Sequence, residues 1–193
     1  TTTGDVLFKA TTHVLVGAND PITTNGGDVV LWARSGSTQN TAAQSGEGRI
    51  RIDNGSSIST SGGAIILAGS SSEDADGLPN GHAFSNSAST YGVQLGTSGT
   101  GTPVNLTSSG GQIRIYSQIG TAPWTSLVAI YASASTMTWN SGTGRQDVSI
   151  LSASTLDNAL ETYGAFTVTS AAPASVSVPA IRFVVQATNA SAI

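Results

Sequence analysis

One short phrase recurs along this chain and constrains its folding more than any other feature: a hydroxyl-rich turn, two glycines, one polar or small residue, and then a β-branched apolar run. It reads Thr23-Thr24-Asn25-Gly26-Gly27-Asp28-Val29-Val30-Leu31, then Ser59-Thr60-Ser61-Gly62-Gly63-Ala64-Ile65-Ile66-Leu67, then Thr107-Ser108-Ser109-Gly110-Gly111-Gln112-Ile113-Arg114-Ile115. A degenerate fourth copy stands at Ser141-Gly142-Thr143-Gly144, ahead of Val148-Ser149-Ile150. Glycine pairs mark turns, and the run that follows each pair has the residue types of a strand.

Between the copies lie further strand-like segments at residues 5–9, 13–16, 48–53 and 92–95. Their period-two alternation puts Val, Ile, Leu or Phe on one face and Arg, Lys, Gln or His on the other. Strands this short cannot each bury a face alone, but stacked as successive coils they can. Gly62 follows Gly26 by 36 residues and Gly110 follows Gly62 by 48, so insertions must loop out of a constant coil. Residues 35–47 and 70–88 are polar and are expected as those loops. The expected fold is all-β, a right-handed parallel β-helix with looped-out insertions; a β-sandwich with long loops is the alternative. The coils occupy residues 1–154. Residues 155–193 lose the phrase and are expected as a C-terminal cap or assembly region. Leu156 and Leu160, four apart, allow a turn of helix that Gly164 would end.

Composition narrows the function classes. Charged residues are 9% of the chain, against about 25% in ordinary soluble domains. With seven Lys plus Arg and a net charge of -4, no basic patch is available for a phosphate backbone, and nucleic-acid binding is not expected. Without cysteine there are no disulfides, thiolate metal sites or Cys nucleophile. No apolar run approaches membrane-spanning length, so no membrane insertion is expected. The chain opens at Thr1, without a signal peptide, and reads as a processed protein or an excised fragment.

The phrases at residues 23–33, 48–69 and 110–115 resemble the repeats of filamentous-haemagglutinin-like giant bacterial surface proteins. That resemblance covers roughly residues 1–150. It implies a secreted right-handed β-helix shaft, located extracellularly or at the cell surface and used in adhesion, cell-to-cell contact and matrix building.

Few residues suggest chemistry. Glu73, Asp74, Asp76 and Asn80 surround Gly77 and Gly81, and alternating oxygen ligands about a turning glycine could hold calcium; a plain solvated turn is the competing reading. No other cofactor is indicated. The eleven acids are scattered, and only stacking could gather such distant ones as Asp28, Asp53 and Asp147 for glycan cleavage. His13 and His82 stand alone, and no nucleophile elbow singles out a serine. No catalytic residue is therefore assigned, and the chain is not expected to be an enzyme. Trp124 and Tyr116 could offer sugar rings a stacking face, whereas Trp32, inside an apolar run, is expected in the core. The stretch containing Val176, Val178, Ile181, Phe183 and Val185 is expected to pair with a neighbour. The functional expectation is a structural or adhesive module that self-associates end to end as a homo-oligomer or filament. A carbohydrate-binding module for surface glycans is the alternative, with a β-helix glycan-cleaving enzyme behind it.

Overall fold

The computed structural model describes residues 4–36, 48–86, 91–97, 101–120, 130–152, 160–175 and 178–187. These form sixteen strands, and no helix occurs among the described residues. In chain order they are β1 (Val6–Lys9), β2 (Val14–Val16), β3 (Pro21–Thr24), β4 (Val29–Ala33), β5 (Ile50–Ile52), β6 (Ser57–Thr60), β7 (Ile65–Glu73) and β8 (Pro79–Gly81). There follow β9 (Ala83–Ser85), β10 (Val93–Leu95), β11 (Asn105–Thr107), β12 (Ile113–Ile119), β13 (Ile130–Asn140), β14 (Gln146–Ser152), β15 (Leu160–Thr169) and β16 (Ile181–Ala187). Among the described strands all pairs are parallel except β7 with β8.

The first sheet runs β1-β4-β7-β12-β14-β16, with β8 added to β7 and β9 to β12. The second runs β2-β5-β10-β13-β11-β6-β3, with β15 beside β13. The long β13 joins its two arms, pairing Ile130 with Val93 of β10 and Trp139 with Leu106 of β11. Each strand after a glycine pair lies beside the strand after the previous pair, so equivalent residues form columns. Phe8, Leu31, Leu67, Ile115, Val148 and Phe183 are one such column. Its four central members are fully buried, each contributing about 1.5–3 kcal/mol by leaving water. A continuous apolar core follows, formed with Ile50, Ile52, Ile58, Leu95, Leu106 and Trp139 from the second sheet.

The recurring phrase has a specific physical content. Its first glycine takes a backbone conformation that side chains disfavour, φ +93° at Gly26 and +114° at Gly62. The second is held by proximity. A Cβ on Gly27, Gly63, Gly111 or Gly144 would lie 1.8–2.2 Å from the carbonyl oxygen of the equivalent glycine one strand back. The hydroxyl three residues before that second glycine donates to its carbonyl: Thr24 to Gly27, Thr60 to Gly63, Ser108 to Gly111 at 2.5 Å and Ser141 to Gly144 at 2.7 Å. Those four hydroxyl residues are buried, so the bonds satisfy polar groups that water cannot reach. The degenerate copy Ser141-Gly142-Thr143-Gly144 thus keeps the hydroxyl and the second glycine of the phrase, with β14 after it.

The four segments expected as strands supply β1, β2, β5 and β10. Residues 37–47 of the first expected loop lie outside the described residues. The second, 70–88, differs from expectation: Ser70 to Glu73 prolong β7, which turns back as β8, and β9 follows. This hairpin has a structural cause. It covers Val30, Trp32, Ile66 and Ala68, apolar side chains on the outer face of the first sheet, with Leu78 packed against them, and Trp32 Nε1 donates to Ser70 O at 2.6 Å. Of the segment read as a helical turn, Leu160 and Glu161 belong to β15, and Leu156 lies outside the described residues. Residues 160–187 supply β15 and β16, which pair with β13 and β14.

Candidate functional site

The densest polar arrangement lies on the outer face of the first sheet, where the hairpin meets β12, β14 and β16. Arg114 and Asp147 are directly paired positions, as are Asp147 and Arg182. Strand alternation turns all three outward, beside inward-facing Ile113, Ile115 and Val148. Arg114 NH1 donates to Asp74 Oδ2 at 2.7 Å and to the Pro79 carbonyl at 3.3 Å, fastening the hairpin to β12. Asp147 accepts the Tyr116 hydroxyl at 2.6 Å through Oδ2 and Arg182 NH1 at 2.8 Å through Oδ1. His82, buried between β8 and β9, stacks on Tyr116 with ring centroids 5.2 Å apart. Its Nε2 lies 2.9 Å from Ser149 Oγ.

The surroundings set the protonation of these groups. Burial pushes His82 down from 6.5 to about 4, against the opposing pull of Asp147, so the imidazole is neutral near pH 7. Burial, then the hydrogen bond and charge of Asp147, raise Tyr116 from 10.0 to about 12, opposed by Arg114 and Arg182. At Asp74 burial acts to raise the carboxyl, but hydrogen bonds from Arg114 and from the Leu78 and Asp76 N–H groups, with the Arg114 charge, bring it below its ordinary value.

A neutral imidazole 2.9 Å from a hydroxyl could accept its proton. Acyl transfer also requires free N–H donors for the oxyanion, and each residue of β14 from Gln146 to Ser152 is paired with both β12 and β16. The network's evident action is to tie the hairpin and three strands together.

The candidates read from the sequence fall as follows. Glu73 forms a 3.5 Å ion pair with Lys9, whose ammonium also lies 3.6 Å from the Trp32 ring centroid. Asp74 is engaged by Arg114, Asp76 and Asn80 are exposed, and no group of three or more His, Cys, Asp or Glu gathers as a metal site among the described residues. Tyr116 is half-buried in the network, and Trp124 lies outside the described residues. Stacking does not assemble Asp28, Asp53 and Asp147: they engage the Ala64 N–H, Arg51, and Tyr116 with Arg182, respectively. Val178, ahead of β16, and Ile181 and Phe183 within it are exposed, Val185 packs partly against the core, and Val176 lies outside the described residues. The grouping of His82, Tyr116, Asp147, Ser149 and Arg182 escaped the sequence reading. Aligning the strands that follow each glycine pair would have placed Arg114 over Asp147.

Among the described residues no strand pairs outward beyond β1, β2 and β3 at one end of the stack or beyond β15 and β16 at the other. At β1 and β2, Leu7, Phe8 and Leu15 are 57%, 47% and 58% exposed; at β16, Ile181 and Phe183 are 36% and 37% exposed. A cavity of about 210 Å³ at the first end is lined by Phe8, Val14, Leu15, Val16 and Ile22 among others. In comparisons with known proteins, the chain matches no family model, no curated protein and no solved structure.

Proposed function

We propose that this chain is a right-handed parallel β-helix segment acting as a structural or adhesive module of an extracellular surface protein or filament, and that it self-associates end to end. The observation that carries the reading is the set of residue columns, which among the described residues pass from β1 to β16 and end at strand edges with no further partner and with apolar side chains exposed. Parallel pairing between successive phrases favours coils over a sandwich, whose sheets are antiparallel. Unpaired strand edges are templates for further pairing. The likeness of the glycine phrases to haemagglutinin-type repeats, and the scarcity of charge, support an extracellular structural role.

The test is sedimentation velocity on the purified chain over a wide concentration range, with negative-stain microscopy of the same samples. Rods lengthening with concentration are expected. Monomers at every concentration, together with saturable binding to a glycan array, would replace this reading with the carbohydrate-binding one.

A further inference from the structure

We infer that the second copy docks in one register, with β16 of one molecule laid parallel against β1 of the next, so that Phe183 stands beside Phe8. This rests on the end-to-end reading and adds to it the partner, the polarity and the residues in contact. The two ends of each inward-facing column match in chemistry, whereas the outward column through Val30, Ile66, Arg114 and Asp147 begins at Leu7 and ends at Arg182. The column through Val29, Ile65, Ile113 and Gln146 begins at Val6 and ends at Ile181; the Leu31 column begins at Phe8 and ends at Phe183. In the second sheet, Val14 and Leu160 end one column, and Ile22 and Val168 another. Val6, Ile22, Leu160 and Val168 are only partly covered by their own chain. A neighbour placed one strand step further would complete the burial at both ends.

The backbone agrees with this register. At four successive steps an N–H bonds to the carbonyl just before the paired residue: Val6 to Asp28 at 2.8 Å, Val29 to Ala64 at 2.8 Å, Ile65 to Gln112 at 2.8 Å and Ile113 to Arg145 at 2.9 Å. The next, Gln146 to Ala180 at 2.9 Å, ends the series within the chain. Continuing it, the Ile181 N–H donates to Asp5 O of the second copy. The glycine column points the same way. Gly27, Gly63, Gly111 and Gly144 each accommodate the carbonyl one strand back, whereas a Cβ on Gly4 would meet nothing within 4 Å. Among the described residues of one molecule nothing crowds a side chain there. In the proposed junction Pro179 of the first copy, the residue aligned with Gly144, lies one strand back from Gly4 of the second, and its carbonyl, which accepts Arg145 NH1 at 2.8 Å within its own chain, fills the space over Gly4. The contact is heterologous, so repetition gives an open polar rod.

Two measurements test this on the full chain. Gly4→Ala should leave the thermal melt unchanged and weaken association at least tenfold by sedimentation velocity, because its methyl group has room in the monomer and none in the junction. Independently, Phe8→Cys mixed with Phe183→Cys should form a mixed disulfide under mild oxidation. Neighbouring strands lie about 4.8 Å apart, within the span a disulfide accepts, and the chain has no other cysteine. Leu7→Cys, one position out of register and facing outward, should not crosslink to Phe183→Cys. Rods that form equally well with Gly4→Ala, or a Phe8→Cys disulfide with itself in preference to Phe183→Cys, would overturn the junction while leaving end-to-end assembly standing. A wild-type chain that stays monomeric at all concentrations overturns both.

Discussion

Replacing Gly63 by alanine tests whether proximity, rather than backbone conformation, selects the second glycine of the phrase. The added Cβ would sit 2.1 Å from Gly27 O and 2.4 Å from Gly27 C, where non-bonded carbons prefer about 3.5–4.0 Å. Both obstructing atoms are backbone in the middle of the sheet and cannot rotate away, so β4 and β7 must part locally. Overpacking costs about 1–3 kcal/mol even where neighbours adjust. Parting the strands also weakens the Val29 N–H to Ala64 O bond of 2.8 Å and the Ala64 N–H to Asp28 Oδ1 bond of 2.7 Å, together worth about 2–4 kcal/mol, since the second is to a charged acceptor. The expected loss is about 4 kcal/mol or more. Gly62→Ala meets nothing within 4 Å but must hold φ +114°, a strain of about 1–3 kcal/mol. Urea unfolding followed by circular dichroism measures both. If Gly63→Ala proves as mild as Gly62→Ala, the strands are not held together as closely as argued.

Three further outcomes follow from the outer network and the buried hydroxyls. His82 has a folded value lowered from 6.5 to about 4, so its contribution is complete above about pH 6.5 and is lost as pH falls through 4; the full effect is about 3 kcal/mol. His82→Gln should flatten the stability profile across that window, and an unchanged profile would assign the acid sensitivity elsewhere. Arg114→Met removes the fastening between β12 and the hairpin, and should speed hydrogen exchange in residues 74–81 at least tenfold while global unfolding changes little; equal protection in both proteins would place the anchor at Trp32 instead. Thr60→Val keeps the shape but removes the hydroxyl shared by Gly63 O and Ser108 O, and a loss of about 1–2 kcal/mol is expected in urea titrations. A neutral result would mean that water reaches those carbonyls.

The strands after each glycine pair were legible because two local requirements coincide there: a turn that needs glycine, and a step that leaves no space for a side chain. Ser141-Gly142-Thr143-Gly144 was legible for the same reason, although its glycines are spaced differently. The hairpin was not, because Ser71, Ser72 and Asn80 have little strand preference of their own. It forms over Trp32 and Ile66, which the sheet would otherwise leave bare. Leu160 misled in the opposite sense: its spacing from Leu156 suits a helix, but β13 offers it a parallel partner in Ile130. The network around Asp147 depends on register across β12, β14 and β16. Its members come from residues 74–182, and nothing local to any one of them announces the others.

The separation between neighbouring strands varies widely while the columns stay aligned, since Asp5 reaches Asp28 over 23 positions and Thr60 reaches Ser108 over 48. Loop-closure entropy grows only logarithmically with length, so doubling that excursion costs roughly 0.6 kcal/mol. A segment as elaborate as the hairpin and its Asp74 clasp can therefore be inserted at one level of the stack with almost no conformational penalty to the levels on either side. The aligned interior and the decorated exterior are free to diverge at different rates, and new surface chemistry can be gained between paired strands without redesigning the core.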